Sequence, residues 1–181
     1  MCVTRDGIHY FSPNTSILKQ PEHGFWQTTY TAFACVMVDE HQQTVQLVRD
    51  HLGLEPFFYC LHQDQFIFGS NLPDVIRALG FTPPVNQNEL EKILQSACGG
   101  KGQYADETLY QTIFRVEPGC LISIQNKKIS KAPYWQLDKL QDEPIHYQHT
   151  QDYVEHFTAL FHEGIQTQIQ GVDDVAVEFS G

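Results

Sequence analysis

Apolar and polar residues alternate over much of the first 70 positions and then change to a helical period. Residues 7–11 form a short β-prone stretch, followed by a polar loop with Pro13 and Pro21. Residues 25–38 are rich in Thr, Tyr, Phe and Val, which predicts one long or two short strands. Residues 44–50 read as the returning strand, with Val45 and Leu47 on one face. Residues 57–61 and 66–68 predict a hairpin across the polar stretch 62–65. Leu72, Val75, Ile76 and Leu79 then fall at helical spacing, after Ser70 or Asn71 as cap and before Gly80 as stop. A second helix is predicted over 88–97, with Leu90, Ile93, Leu94 and Ala97 on one stripe. A second hairpin spans 120–125 and 128–131.

Residues 138–149 are charged, histidine-bearing and aperiodic, which reads as a linker. Beyond them, Val154, Phe157, Leu160, Phe161, Ile165 and Ile169 give one face of a long amphipathic helix over 150–170. Val175, Val177 and Phe179 predict a strand after it. A helix followed by a hydrophobic strand begins an α/β unit, so the pattern reads as a second domain cut off as it starts.

Composition narrows the function classes. Eleven basic against 22 acidic residues give a formal charge of −11, which repels phosphate backbones and argues against nucleic acid and anionic membrane surfaces as partners. Hydrophobic residues make up 41% of the chain, enough for a packed core, yet no run of roughly 18 apolar residues could form a membrane-spanning helix. Cys2, Cys35, Cys60, Cys98 and Cys120 are odd in number, widely spaced and without a CxxC pair. That argues against a disulfide framework or zinc site and for a reducing, cytoplasmic setting; no secretory signal is visible at the start. His146, His149, His156 and His162 do not form a metal site by spacing, because His156 and His162 fall on different helix faces.

The most informative segment runs from Leu47 to Tyr59 and contains Arg49, Asp50, Gly53 and Pro56. It resembles the R-D-x-x-G-x-x-P-L-Y-Y signature of the asparagine synthetase family, the glutamine-dependent amidotransferases. Further matches follow in order. Residues 33–39 look like F-A-x-x-x-x-D, and 66–70 like an F-A-S-E step. Residues 106–119, ending in Pro118 and Gly119, are similar to T-L-F-x-x-I-x-R-L-x-P-G; Tyr134 to Leu137 resemble Y-W-D-L. Ser180 and Gly181 look like the start of the S-G-G-x-D-S loop that cradles pyrophosphate.

The resemblance implies an α+β protein. Residues 1–137 would be a shortened N-terminal-nucleophile (Ntn) hydrolase sandwich of antiparallel sheets with flanking helices. Residues 138–149 would be the linker, and 150–181 the first helix and strand of a synthetase domain. In the complete family that second domain uses ATP and magnesium to activate a carboxylate, which ammonia from glutamine then attacks. Cys2 would be the glutaminase nucleophile once Met1 is removed, with its own α-amine as base. The match is partial there. Cys2 is followed by Val3 and Thr4 rather than Gly and Ile, and no R-G-P-D, N-G-E or G-S-D element is present to supply the substrate clamp and oxyanion donors. Each missing donor costs about 10²–10³ in rate.

Arg49 and Asp50 read as a structural corner before a catalytic pair. The leading expectation is the N-terminal part of an ATP-dependent amidotransferase, catalytically incomplete alone, holding no cofactor and partnered by a synthetase domain in cis or trans. The alternatives are a non-catalytic interaction module serving a separate synthetase or ring-closing amide synthetase, and a Cys2-dependent glutamine amidohydrolase that binds glutamine. A homodimer would cover strand edges and apolar faces left exposed by the shortening.

Overall fold

The computed structural model describes residues 2–5, 8–11, 24–29, 31–63, 65–97, 106–126, 128–139, 144–169, 171 and 175–177. The chain divides into two compact units, residues 1–139 and 140–181.

The first unit is built on a six-stranded antiparallel sheet. Its strands are β1 (Cys2–Arg5), β2 (Ile8–Phe11), β3 (Ala34–Asp39), β4 (Thr44–Arg49), β8 (Cys120–Gln125) and β9 (Lys128–Pro133), in that spatial order. A three-stranded antiparallel sheet has β5 (Phe58–His62) between β6 (Gln65–Gly69) and β7 (Phe114–Arg115). Helix α1 (Leu72–Leu79) and helix α2 (Gln87–Ala97) complete the unit.

Strands β3 and β4 are buried on both faces, and register sorts their side chains. Val36 pairs with Leu47, and Leu47 with Ile122. All three lie in one cluster with Ala34, Ile124, Phe57, Tyr59 and Val116, which is the layer between the sheets. Their neighbours Cys35 and Val48 pair with each other and point the opposite way, into a cluster with Trp26, Phe33 and Met37. A one-residue slip would exchange the two faces, so both buried layers hold the register. On the far side of the smaller sheet, Cys60, Val75 and Ile113 pack with Leu72, Ile76 and Leu79, seating α1 against β5 and β6.

The predicted helix over 70–80 forms as α1, with Asn71 at its N-cap and Gly80 closing it at φ 77°. Asn86 caps α2 by accepting the Glu89 amide at 3.4 Å. The predicted strand over 25–38 is corrected: regular pairing starts at Ala34. Phe25–Gln27 is a 3-10 turn entered through Gly24 at φ 85°. The Phe25 carbonyl is taken by the Thr28 amide and by both threonine hydroxyls that follow, and Trp26 turns into the core. Local hydrogen bonding there displaces the ladder that β-propensity favours. Strands β1 and β7 fall outside the predicted strands.

In the second unit, helix α3 (Thr150–Gln168) matches the predicted amphipathic stretch. Tyr147 meets His156 Nδ1 at 2.7 Å, so that histidine is engaged by a tyrosine. Residues 175–177 are not in a regular strand, and the rest of that predicted strand lies outside the described residues.

Leu47 is fully buried at the centre of the inter-sheet layer. Leu47→Ala is expected to cost about 3 kcal/mol by urea denaturation; a loss under about 1 kcal/mol would contradict this core assignment.

Candidate functional site

Strand β4 ends at a charged pair that the fold buries. Arg49 and Asp50 are 8% and 2% exposed. Burying two charged side chains is costly unless their hydrogen-bonding groups find partners. Here the partners are backbone. Arg49 donates from Nε to the Glu55 carbonyl at 2.7 Å, from Nη1 to Val116 at 2.7 Å and from Nη2 to Gly53 at 2.6 Å. Asp50 accepts the amides of Leu54 and Glu55 at 2.9 Å each, Leu52 at 3.2 Å and Phe33 at 3.4 Å. Its backbone carbonyl accepts the Gly53 and Gly119 amides, and its own amide donates to Phe33.

These bonds tie three stretches of chain to one point, at Phe33, at residues 49–55 and at residues 116–119. Gly53 is required at φ 67°, where a Cβ would come within 2.8 Å of Pro118 and 3.1 Å of the Arg49 guanidinium carbon. Gly119, at φ 61°, lets the backbone pass so close to Trp135 that a Cβ would stand 2.6 Å from its carbonyl oxygen. Tyr134 then donates its hydroxyl to the Arg49 carbonyl at 2.7 Å. Burial raises the Tyr134 pKa well above the ordinary phenol range, with Asp50 and Cys120 adding to the shift, so the donor proton stays in place. Pro56 is exposed and leads the chain from the turn into β5.

His51 sits beside this corner, 8% exposed, edge-on to the Tyr134 and Trp135 rings at 5.3 Å each. Burial lowers its pKa below the ordinary value, and the Asp50 carboxylate partly offsets that. A cleft of about 240 Å³ opens alongside, lined by His51, Leu52, Leu54, Trp135 and Leu137 among others. Its surface is mostly apolar.

The predicted site residues separate into three groups. Arg49, Asp50 and Gly53 come together as a corner that shapes backbone, and Pro56 follows it on the surface. Cys2 opens β1, with Phe11 as its Cα partner, and two strands stand between β1 and β4. That is about 14 Å at ordinary strand spacing, so Cys2 is not part of the corner. Ser180 and Gly181 lie outside the described residues. No group of three or more metal-ligating side chains occurs among the described residues. In the sequence, only their positions after Pro118 and before Trp135 mark Gly119 and Tyr134, and nothing local ties them to the corner.

The sequence profile of the family described as "Glutamine amidotransferase domain" matches residues 22–135, which contain the whole corner. Asparagine synthetase [glutamine-hydrolyzing] 3 of Bacillus subtilis is 23% identical over 145 residues, covering 80% of this chain and 22% of that protein. Amidase chry2 of Gibberella zeae is 26% identical over 107 residues, covering 59% of this chain and 15% of that protein. The matched regions therefore span under a quarter of the length of either curated relative.

Asp50→Ala strips four backbone amides of their acceptor and is expected to cost about 3 kcal/mol or more, with Asp50→Asn costing less. Urea denaturation of both variants checks the order. His51 titrates below its unfolded value of 6.5. The unfolded chain therefore binds the proton first, and stability present above that value falls as pH drops through it toward the folded pKa. Denaturation midpoints between about pH 7.5 and pH 5.5 are expected to decline more steeply for the parent than for His51→Phe.

Proposed function

The chain belongs to the glutamine amidotransferase domain family, and on that premise we propose that it is the N-terminal part of an asparagine-synthetase-like, ATP-dependent amidotransferase. The observation that supports this reading is the corner. The Arg49–Asp50 signature is used to fold the domain, and the same signature lies within the family match and within a region similar to an asparagine synthetase.

In this reading the domain is a scaffold. It presents a surface to a synthetase domain, in cis or in trans, that forms an amide on a carboxylate from ammonia or glutamine nitrogen. ATP and magnesium are proposed to bind that partner domain. Ser180 and Gly181 would contribute the opening of its phosphate loop. The fold class proposed for residues 1–137 is the Ntn-hydrolase sandwich, supported by two antiparallel sheets packed face to face with α1 outside one of them. The setting proposed is the cytoplasm, supported by an odd number of widely spaced cysteines with no CxxC pair.

The second reading is a glutaminase acting through Cys2. It is favoured by that residue's place at the head of a strand of the larger sheet. Nucleophilic attack would also need Met1 removed, a free α-amine as base and oxyanion donors.

Intact-mass measurement and a glutamine-to-glutamate assay separate the two. The scaffold reading expects no glutamate above background and no difference between the parent and Cys2→Ala. Glutamate release lost in Cys2→Ala would replace it with the glutaminase reading. The amidotransferase assignment is tested on the reading frame continued past Gly181, where carboxylate-dependent pyrophosphate release from ATP with ammonium is expected. Absence of that release from a folded product, and from the chain mixed with a separate synthetase, would sink it.

A further inference from the structure

At the edge of the first unit remote from Cys2, β9 brings a lysine to the rim of the layer between the two sheets. Register shows how remote it is: Cys2, Phe11, Val36, Leu47, Ile122 and Lys131 are successive Cα partners across the larger sheet. Five strand spacings separate the first from the last, about 24 Å. The Lys131 ammonium pairs with the Asp106 carboxylate. It stands 5.7 Å from the Phe114 ring centroid and 6.0 Å from that of Tyr59. Around it opens a cleft of about 520 Å³ whose other walls are Leu61, Thr112 and Ile129. This volume lies in the range of small-molecule sites.

We propose that this cleft binds a free α-amino acid with an apolar side chain, its carboxylate on Lys131, its ammonium on Asp106 and its side chain against Phe114, Leu61 and Ile129.

The charge arrangement selects the ligand class. A lone anion approaching Lys131 also meets Asp106, and a lone cation approaching Asp106 also meets Lys131. A zwitterion with adjacent opposite charges satisfies both and adds no net charge to the site. Both protein groups remain reachable, with side chains 39% and 27% exposed; Lys131 lines the cleft itself, and Asp106 meets it through the ion pair. Asp106 is also held in place, because its backbone carbonyl accepts the Arg115 amide of β7.

The protonation states are fixed near neutrality. Burial alone would lower the Lys131 pKa, but its interactions with Asp106 and Tyr59 outweigh that and leave the ammonium above its ordinary value. Burial raises the Tyr59 pKa, so its hydroxyl stays neutral. The walls supply apolar and aromatic surface, which an aliphatic or aromatic side chain covers better than a polar one. An inter-sheet latch alone would need the Lys131–Asp106 pair and not the cleft beside it.

The test is calorimetric titration of the full 181-residue chain with L-phenylalanine, 3-phenylpropanoate and 2-phenylethylamine. L-phenylalanine is expected to bind with a Kd of about 1 mM, as suits a ligand of roughly a dozen heavy atoms. Each analogue lacking one charge is expected to bind at least about tenfold more weakly. Lys131→Met is expected to weaken L-phenylalanine by a similar factor. Because Lys131→Met also breaks the link between the sheets, Ile129→Trp provides an independent arm. It fills the cleft, leaves the ion pair intact and is expected to abolish binding, with circular dichroism confirming the fold. Equal binding of all three compounds would overturn the proposal, as would undiminished binding to Ile129→Trp or no binding of L-phenylalanine at about 10 mM.

Discussion

Two charged side chains at the end of one strand hold the first unit together. Arg49 and Asp50 are buried where an isolated charge would be strongly disfavoured, and the fold surrounds them with peptide groups. The guanidinium gathers three carbonyls and the carboxylate gathers four amides, drawn from the residue just before β3, the turn after β4, and the loop before β8. Peptide groups in a turn cannot pair with one another as those in a ladder do, so a bend this tight needs side chains to supply the missing partners. The same bonds set the direction of β5, which carries the chain from the larger sheet to the smaller one.

The corner and the two-faced strands reinforce each other. β3 and β4 bury one row of side chains between the sheets and the other row beneath Trp26 and Phe33. Such strands lose register at the cost of both layers, and Phe33 belongs to both systems: its ring is in the outer cluster, and its backbone is bonded to Asp50 at both ends of the peptide. Packing and hydrogen bonding thus fix one geometry from independent directions. That consistency identifies the family signature as an element of folding and leaves chemistry to other residues.

The residues with chemical potential lie at the margins of the larger sheet. Cys2 heads one edge strand and Lys131 lies on the other, with the corner between them. Edge positions suit binding, since an edge strand has one side not used by the ladder and can present side chains at a rim. At the β9 edge, Pro133 and the lysines Lys128 and Lys131 also discourage pairing with a further strand.

Much of this was legible along the chain. The helical period of Leu72, Val75, Ile76 and Leu79 determined α1, because one apolar face at that spacing has a single way to be buried. Alternation marked β4, β5, β6 and β8 for the same reason, and the ordered motif letters around Arg49 pointed to the family. Composition misread residues 25–33, where Gly24 and the Phe25 carbonyl set up a turn that propensity does not register. The two-residue strand β7 has no period to detect, and it exists only because Tyr59 and Phe58 offer it a partner. The grouping of Lys131 with Asp106 and Tyr59 joins residues dozens of positions apart. Sequence specifies which face of each strand is apolar; which strands become neighbours, and therefore which distant charges meet, depends on how two sheets share one buried layer.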